Sequence, residues 1–204
     1  MNKSPYEGLS VQDWQAKTLE LIDEHPLTPN EIYQLITQVW SEIFLSSITS
    51  RGYKIGVDFF PSPQVIGSLL HDLIPLEFAY RYPGIWRRQA TKDEKDLVYV
   101  PDDSFSVEIK TSSSTRNTYG NRSYAQKSST GKLGTKTKSG YYLVINFQKL
   151  IVSLPNPQIN LVRFGWLDRD DWIGQKSQTG QQARLRPEVE RYKLLRLPLQ
   201  TQFF

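Results

Sequence analysis

Cysteine is absent from this 204-residue chain, and histidine occurs only at His25 and His71. Without cysteine there is no disulfide scaffold, no thiol nucleophile and no thiolate-bound zinc or iron–sulfur cluster. Nothing in the sequence suggests that the two histidines converge, which argues against a histidine metal site or a histidine-based triad. No run of 18 apolar residues occurs, so no ordinary membrane-spanning helix is expected. The opening MNKSPYEGLS has no apolar core of the kind a secretion signal needs, so a cytoplasmic protein is expected. Hydrophobic residues make up 38% and charged residues 23%, the balance of a soluble globular protein rather than a disordered chain or a fibre. At this length one domain can bury a core without covalent staples.

A second scarcity is local. The net charge is +4, but residues 111–167 hold 8 basic side chains and no acidic one, whereas residues 1–110 hold 10 basic and 16 acidic. A polyanionic partner explains such a stretch, because each phosphate contact needs a cation and rejects a carboxylate. Tyr, Asn, Ser and Gln are interleaved with the basic residues, and these types also contact phosphates and bases. The plain alternative is a solvated basic loop with no partner.

Periodicity organises the rest. One helix is expected from Ser10 to before Pro26, with Val11, Trp14, Leu21 and Ile22 on one face. A second starts at Thr28-Pro29-Asn30-Glu31, a capping box with proline at the first helical position, and runs to about Leu45. A third fits 64–74, ended by Pro75. His25 is expected to cap a helix end, and His71 to be structural. Strands follow: Leu97–Val100, a turn at 101–104, alternation from Phe105 to Lys110, then Tyr141–Phe147 and Ile159–Trp166, with a short helix opening at Pro187. Helices, hairpin and strands in this order imply a layered α/β or α+β domain.

The chemistry concentrates in DLVYVPDDSFSVEIK, residues 96–110. A hairpin turning at 101–104 brings Asp96 and Glu108 to the same open end, and the two-residue period puts Glu108 and Lys110 on one face. Two carboxylates and a backbone carbonyl suit Mg²⁺, a hard ion that keeps much of its water. A nearby lysine can orient a water or stabilise charge developing on phosphorus. The alternative is an exposed hairpin with an ordinary Glu–Lys surface pair.

This segment resembles the PD-(D/E)XK nuclease motif, with Asp96, Glu108 and Lys110 at its three positions. The longer string Glu94-Lys95-Asp96, SVEIKTSSS (106–114), YGNRSYAQ (119–126) and SGYYLVINF (139–147) is similar to type II restriction endonucleases of the ScaI type. Phe164–Gln182 continues the similarity more loosely, and the first 80 residues carry no matching motif. The resemblance implies one nuclease domain over 1–204, with a helical part over about 8–75, a catalytic core over about 84–167 and a C-terminal part over 168–204. The implied fold is a mixed central sheet flanked by helices. The implied enzyme is Mg²⁺-dependent, usually homodimeric, and cuts both strands of a short duplex site.

Asp96, Glu108 and the Ile109 carbonyl would hold the metal, and Lys110 would position or activate the attacking water. Glu42 on the second helix is the candidate for a further glutamate that some such folds add; a solvent-facing helix glutamate is the alternative. One departure stands out. The literal Pro-Asp pair is Pro101-Asp102, only six positions before Glu108, so Asp96 is preferred, with Asp93 a weaker alternative. Beside the site, Ser112, Ser113 and Ser114 could donate to backbone phosphates, Arg116 would contact the DNA, and Asn121, Arg122 and Gln126 have the donors and acceptors that read base edges. Lys127, Lys132, Lys136 and Lys138 would contact phosphates. Two rival readings remain at this point: a structure-specific or repair nuclease of the same fold, and a DNA-binding module without catalysis.

Overall fold

The computed structural model describes residues 3–125, 138–174 and 182–198. Gln126, Lys127, Lys132 and Lys136 lie outside them. In chain order the elements are α1 (Trp14–Asp23), α2 (Pro29–Leu45), the hairpin strands β1 (Ser47–Ile48) and β2 (Tyr53–Lys54), α3 (Pro63–Arg81), β3 (Trp86–Arg88), β4 (Leu97–Tyr99), β5 (Val107–Ser112), β6 (Tyr119–Asn121), β7 (Gly140–Phe147), β8 (Ile159–Leu167), β9 (Trp172–Gly174), β10 (Gln182–Leu185), α4 (Pro187–Tyr192) and β11 (Leu195–Leu197). Among the described residues no helix is long and apolar enough to cross a membrane.

A six-stranded mixed sheet in the order β11-β8-β7-β5-β4-β3 forms the centre. The β5–β7 pair is parallel and the other pairings are antiparallel. β7 is buried along its whole length, and its alternation sorts two cores. Tyr141, Leu143, Ile145 and Phe147 point with Val107 and Ile109 of β5 into the larger core, shared with Leu35, Ile36 and Val39 of α2 and Ile66, Leu70 and Ile74 of α3. Tyr142 and Val144 point the other way, onto Trp172, Ala183, Leu185 and Val189. That second face is covered by a small sheet in the order β6-β10-β9 and by α4. Glu108 and Lys110 lie on the second face, between the two sheets.

Local chemistry explains most element ends. At α2 the Thr28 hydroxyl accepts from the Glu31 amide while the Glu31 carboxylate accepts from Thr28, as the capping box requires. Three expectations are corrected. Pro75 does not end the third helix: α3 continues to Arg81 with Pro75 buried inside it. Pro75 gives the carbonyl of His71 no donor, at a cost of about 3 kcal/mol. Burying Ile74 and Phe78 beside it recovers a similar or larger amount, at about 1.5–3 kcal/mol each.

The 96–110 hairpin pairs at a single position, Leu97↔Val107. The Tyr99 amide is taken by the Ser106 hydroxyl, which in turn donates to Asp103, so the ladder stops. Phe105 falls in a 3-10 turn (Asp103–Phe105) instead of the strand. His25 is no helix cap. It is 5% exposed in the larger core, its ring 4.5 Å from that of Tyr141 and 4.9 Å from that of Phe164.

Candidate active site

Asp96 lies just before β4. The Leu97↔Val107 register, carried one step further, sets Asp96 opposite Glu108. Its Oδ2 accepts from the Ile109 amide at 2.7 Å. In an extended strand the amide and carbonyl of one residue leave by the same edge, so the Ile109 carbonyl faces the side on which Asp96 sits. Beyond Val107 that edge of β5 no longer pairs with β4. Asp96 and the residue whose carbonyl is the expected ligand are thereby tied together by a hydrogen bond from backbone amide to side chain.

The third, Glu108, is 2% exposed and directly precedes Ile109 on β5. Its Oε1 accepts from Lys110 Nζ at 2.5 Å and from the Tyr124 hydroxyl at 2.6 Å. Lys110 and Lys138 place their ammonium groups 4.9 and 5.1 Å from the centre of the Tyr124 ring. Burial and the Glu108 charge raise the Tyr124 pKa far above that of an ordinary phenol, so it stays a hydroxyl donor. Burial, with the Arg169 charge, lowers the Lys138 pKa. Asp96 also contributes to the field that raises the Tyr124 and Tyr142 phenols, so both carboxylates act on the same pocket.

The neighbours of Asp96 do different work. Glu94 receives two hydrogen bonds from Arg87 and two from the amides of Ala90 and Thr91. Arg87 above all holds its pKa down to about 2, and Glu94 thus ties the turn that delivers Asp96. Lys95 is buried, donates to the Ser139 carbonyl at 3.2 Å and lies 4.9 Å from the Tyr142 ring centre. The alternatives to Asp96 fall elsewhere. Asp102 caps the turn at the far end of the hairpin through the Ser104 amide, and Asp93 is exposed.

Beside this group a cleft of about 770 Å³ opens between the start of α3 and the end of β5. Gly67 permits the approach: a Cβ there would lie 2.7 Å from Thr111 Oγ1. His71, Thr111, Ser112, Ser113, Tyr119 and Asn121 line the cleft. His71 Nδ1 stands 3.6 Å from Asp96 Oδ2, and Thr111 follows Lys110, so the cleft abuts the carboxylates without being lined by them. The structure therefore brings together Asp96, Glu108, Ile109 and Lys110, and puts Ser112, Ser113 and Asn121 in the adjoining cleft. Arg116 is exposed in the loop after β5. Arg122 starts the 3-10 turn Arg122–Ala125. Glu42 is not brought to this group. It accepts from Gln38 and lines a separate groove between α2 and α3 with Glu77 and Tyr80.

Three participants were not legible in the sequence. His71 reaches Asp96 from a different element, and Tyr124 reaches Glu108 from a short turn. Arg163, 5% exposed on β8, donates to the Arg116 carbonyl, the Thr118 hydroxyl and Asn146. Asn146 in turn donates to the carbonyls of Ser114 and Asn117, so a buried polar network holds the loop after β5 from below. A lone Arg163 in an apolar strand was the one available signal, since such a charge needs partners.

The donor types suit a hard cation: Asp96 and Glu108 supply carboxylate oxygens and Ile109 a carbonyl, while among the described residues no group of three or more His, Cys, Asp or Glu is arranged to hold a metal ion. Mg²⁺ suits one or two carboxylates because it completes its shell with water and phosphate oxygens.

Comparison with known proteins gives two matches. The sequence model of the ScaI restriction endonuclease family matches residues 4–198. The type II restriction enzyme ScaI of Streptomyces caespitosus is 45% identical over 193 residues, covering 94% of this chain and 83% of the relative. No solved structure matches the chain.

Proposed function

For a chain that belongs to the ScaI restriction endonuclease family, and is thus a type II restriction endonuclease acting on double-stranded DNA, we propose Mg²⁺-dependent hydrolysis at the Asp96–Glu108–Lys110 group. Type II restriction endonucleases generally use a divalent metal ion. Asp96, Glu108 and the Ile109 carbonyl would hold it here; when bound, it polarises the phosphodiester and lowers the pKa of a coordinated water. Lys110 holds the attacking water in line with phosphorus and counters the charge that develops on the non-bridging oxygens. The water oxygen bonds to phosphorus as the P–O3′ bond breaks; the water gives up a proton and the departing O3′ takes one up from solvent, leaving a 5′-phosphate and a 3′-hydroxyl.

Ser112, Ser113, Arg116 and Lys138 fix the backbone at the cleft, joined by Lys127, Lys132 and Lys136. Asn121, Arg122 and Gln126 read base edges. The chain works as one nuclease domain, as a homodimer that cuts both strands, in the cytoplasm. The observation that carries this reading is the Asp96 carboxylate held on the Ile109 amide at 2.7 Å, one register step from Glu108.

Plasmid digestion in Mg²⁺ followed by end sequencing tests it. Cleavage at one short sequence is expected. Asp96→Ala and Glu108→Ala should each abolish cutting while binding, followed by gel shift in Ca²⁺, persists. Full cutting by either variant refutes the assignment.

A further inference from the structure

Glu108 is held from outside its own strand. The Tyr124 hydroxyl donates to Glu108 Oε1 at 2.6 Å, a short charge-assisted hydrogen bond to the same oxygen that Lys110 engages. Tyr124 is 9% exposed, and its ring packs 4.9 Å from that of Trp172 in the core beneath the small sheet. It sits in the turn that directly follows β6, whose Tyr119 and Asn121 line the cleft. Gly120, between those two, is packed so closely that a Cβ would lie 2.9 Å from Trp172. One short stretch thus faces the cleft at 119 and 121, rests on Trp172 at 120 and grips Glu108 at 124.

We propose that Tyr124 is a positioning residue: its hydroxyl fixes the orientation of the Glu108 carboxylate and ties β6, the cleft wall, to the catalytic strand β5. This rests on the assignment of Glu108 as a metal-holding group. The phenol suits the task because its one hydroxyl hydrogen is directed at a carboxylate oxygen. Its ring is locked by packing, so the direction of the donated hydrogen is set by the small sheet, not by solvent. The ring also carries the Lys110 ammonium, so the same side chain aligns both catalytic groups.

Tyr124→Phe removes only the hydroxyl. Mn²⁺ binding to the protein, followed by electron paramagnetic resonance, should weaken about tenfold, and kcat on plasmid DNA should fall by a similar factor, about the size seen when the support of a metal ligand is removed. KM should stay within about twofold, and the melting temperature should fall only slightly, by the loss of one buried hydrogen bond. Tyr124→Leu, which also deletes the ring, should lower the melting temperature as well. Unchanged Mn²⁺ affinity and kcat in Tyr124→Phe overturn the proposal. So does a loss that tracks thermal stability equally in both variants, since that marks a packing role. Glu108→Ala separates the two layers. If it keeps Mn²⁺ binding and cleavage, the site assignment itself fails; if it loses both while Tyr124→Phe behaves as wild type, only the positioning role fails.

Discussion

Acidification should loosen the strand pair that carries the proposed site, and His25 sets where this happens. Its Nδ1 accepts from the Leu27 amide at 3.1 Å, and its Nε2 lies 3.0 Å from the Phe105 carbonyl. The two bonds define the neutral imidazole with its hydrogen on Nε2. Phe105 belongs to the turn joining β4 to β5, so His25 anchors the connection between Asp96 and Glu108. Burial among aromatic rings lowers its pKa to about 4, against 6.5 for an ordinary histidine. The difference corresponds to about 3 kcal/mol. Above about pH 6.5 both the folded and the unfolded chain hold a neutral imidazole, and the stabilisation is complete. As pH falls, the unfolded chain takes up the proton first. About 2 kcal/mol is lost by pH 5 and the full amount below about pH 4.

Urea unfolding of wild type and His25→Gln between pH 7.5 and 4.5 reads this directly. The variant is less stable at pH 7.5, and the gap should close by about 2 kcal/mol at pH 5, because glutamine does not titrate. The chain has only two histidines, so proton NMR assigns the ring resonances by their loss in this variant. A His25 resonance that titrates near 6.5, or a stability gap independent of pH, would refute the reasoning.

Other consequences are equally direct. Lys110→Ala should eliminate turnover at saturating Mg²⁺ while circular dichroism and DNA binding in Ca²⁺ are retained; substantial turnover counts against its role. Gly67→Ala drives a methyl to 2.7 Å from Thr111 Oγ1 and should cost about 1–3 kcal/mol, most of it recovered in the double variant with Thr111→Ala, as read by urea denaturation. DNA affinity should fall steeply with salt, as expected where 8 basic and no acidic residues occupy 111–167. A flat response in a filter-binding titration would argue that this charge does not meet phosphate.

Local patterns determined much of this protein. The Thr28–Glu31 cap, the helical spacing of α2 and the buried run of β7 rest on contacts between near neighbours in sequence, so each could be read from a short window. The same holds for Glu108 and Lys110, whose shared face follows from the pleat of one strand. The nearness of Asp96 to β5 was reachable because a hairpin folds back on itself over few residues. Local rules failed where distant atoms outweighed them. Pro75 stays inside α3 because the core beneath it outweighs one lost hydrogen bond. His25 became an aromatic-boxed anchor because strands more than 100 residues later supply part of the box. The meeting of His71 with Asp96, of Tyr124 with Glu108 and of Arg163 with the loop after β5 was decided by tertiary structure alone. Each joins separate elements through one or two polar contacts, and no periodicity in the chain encodes which of many such side chains will come within 4 Å of another.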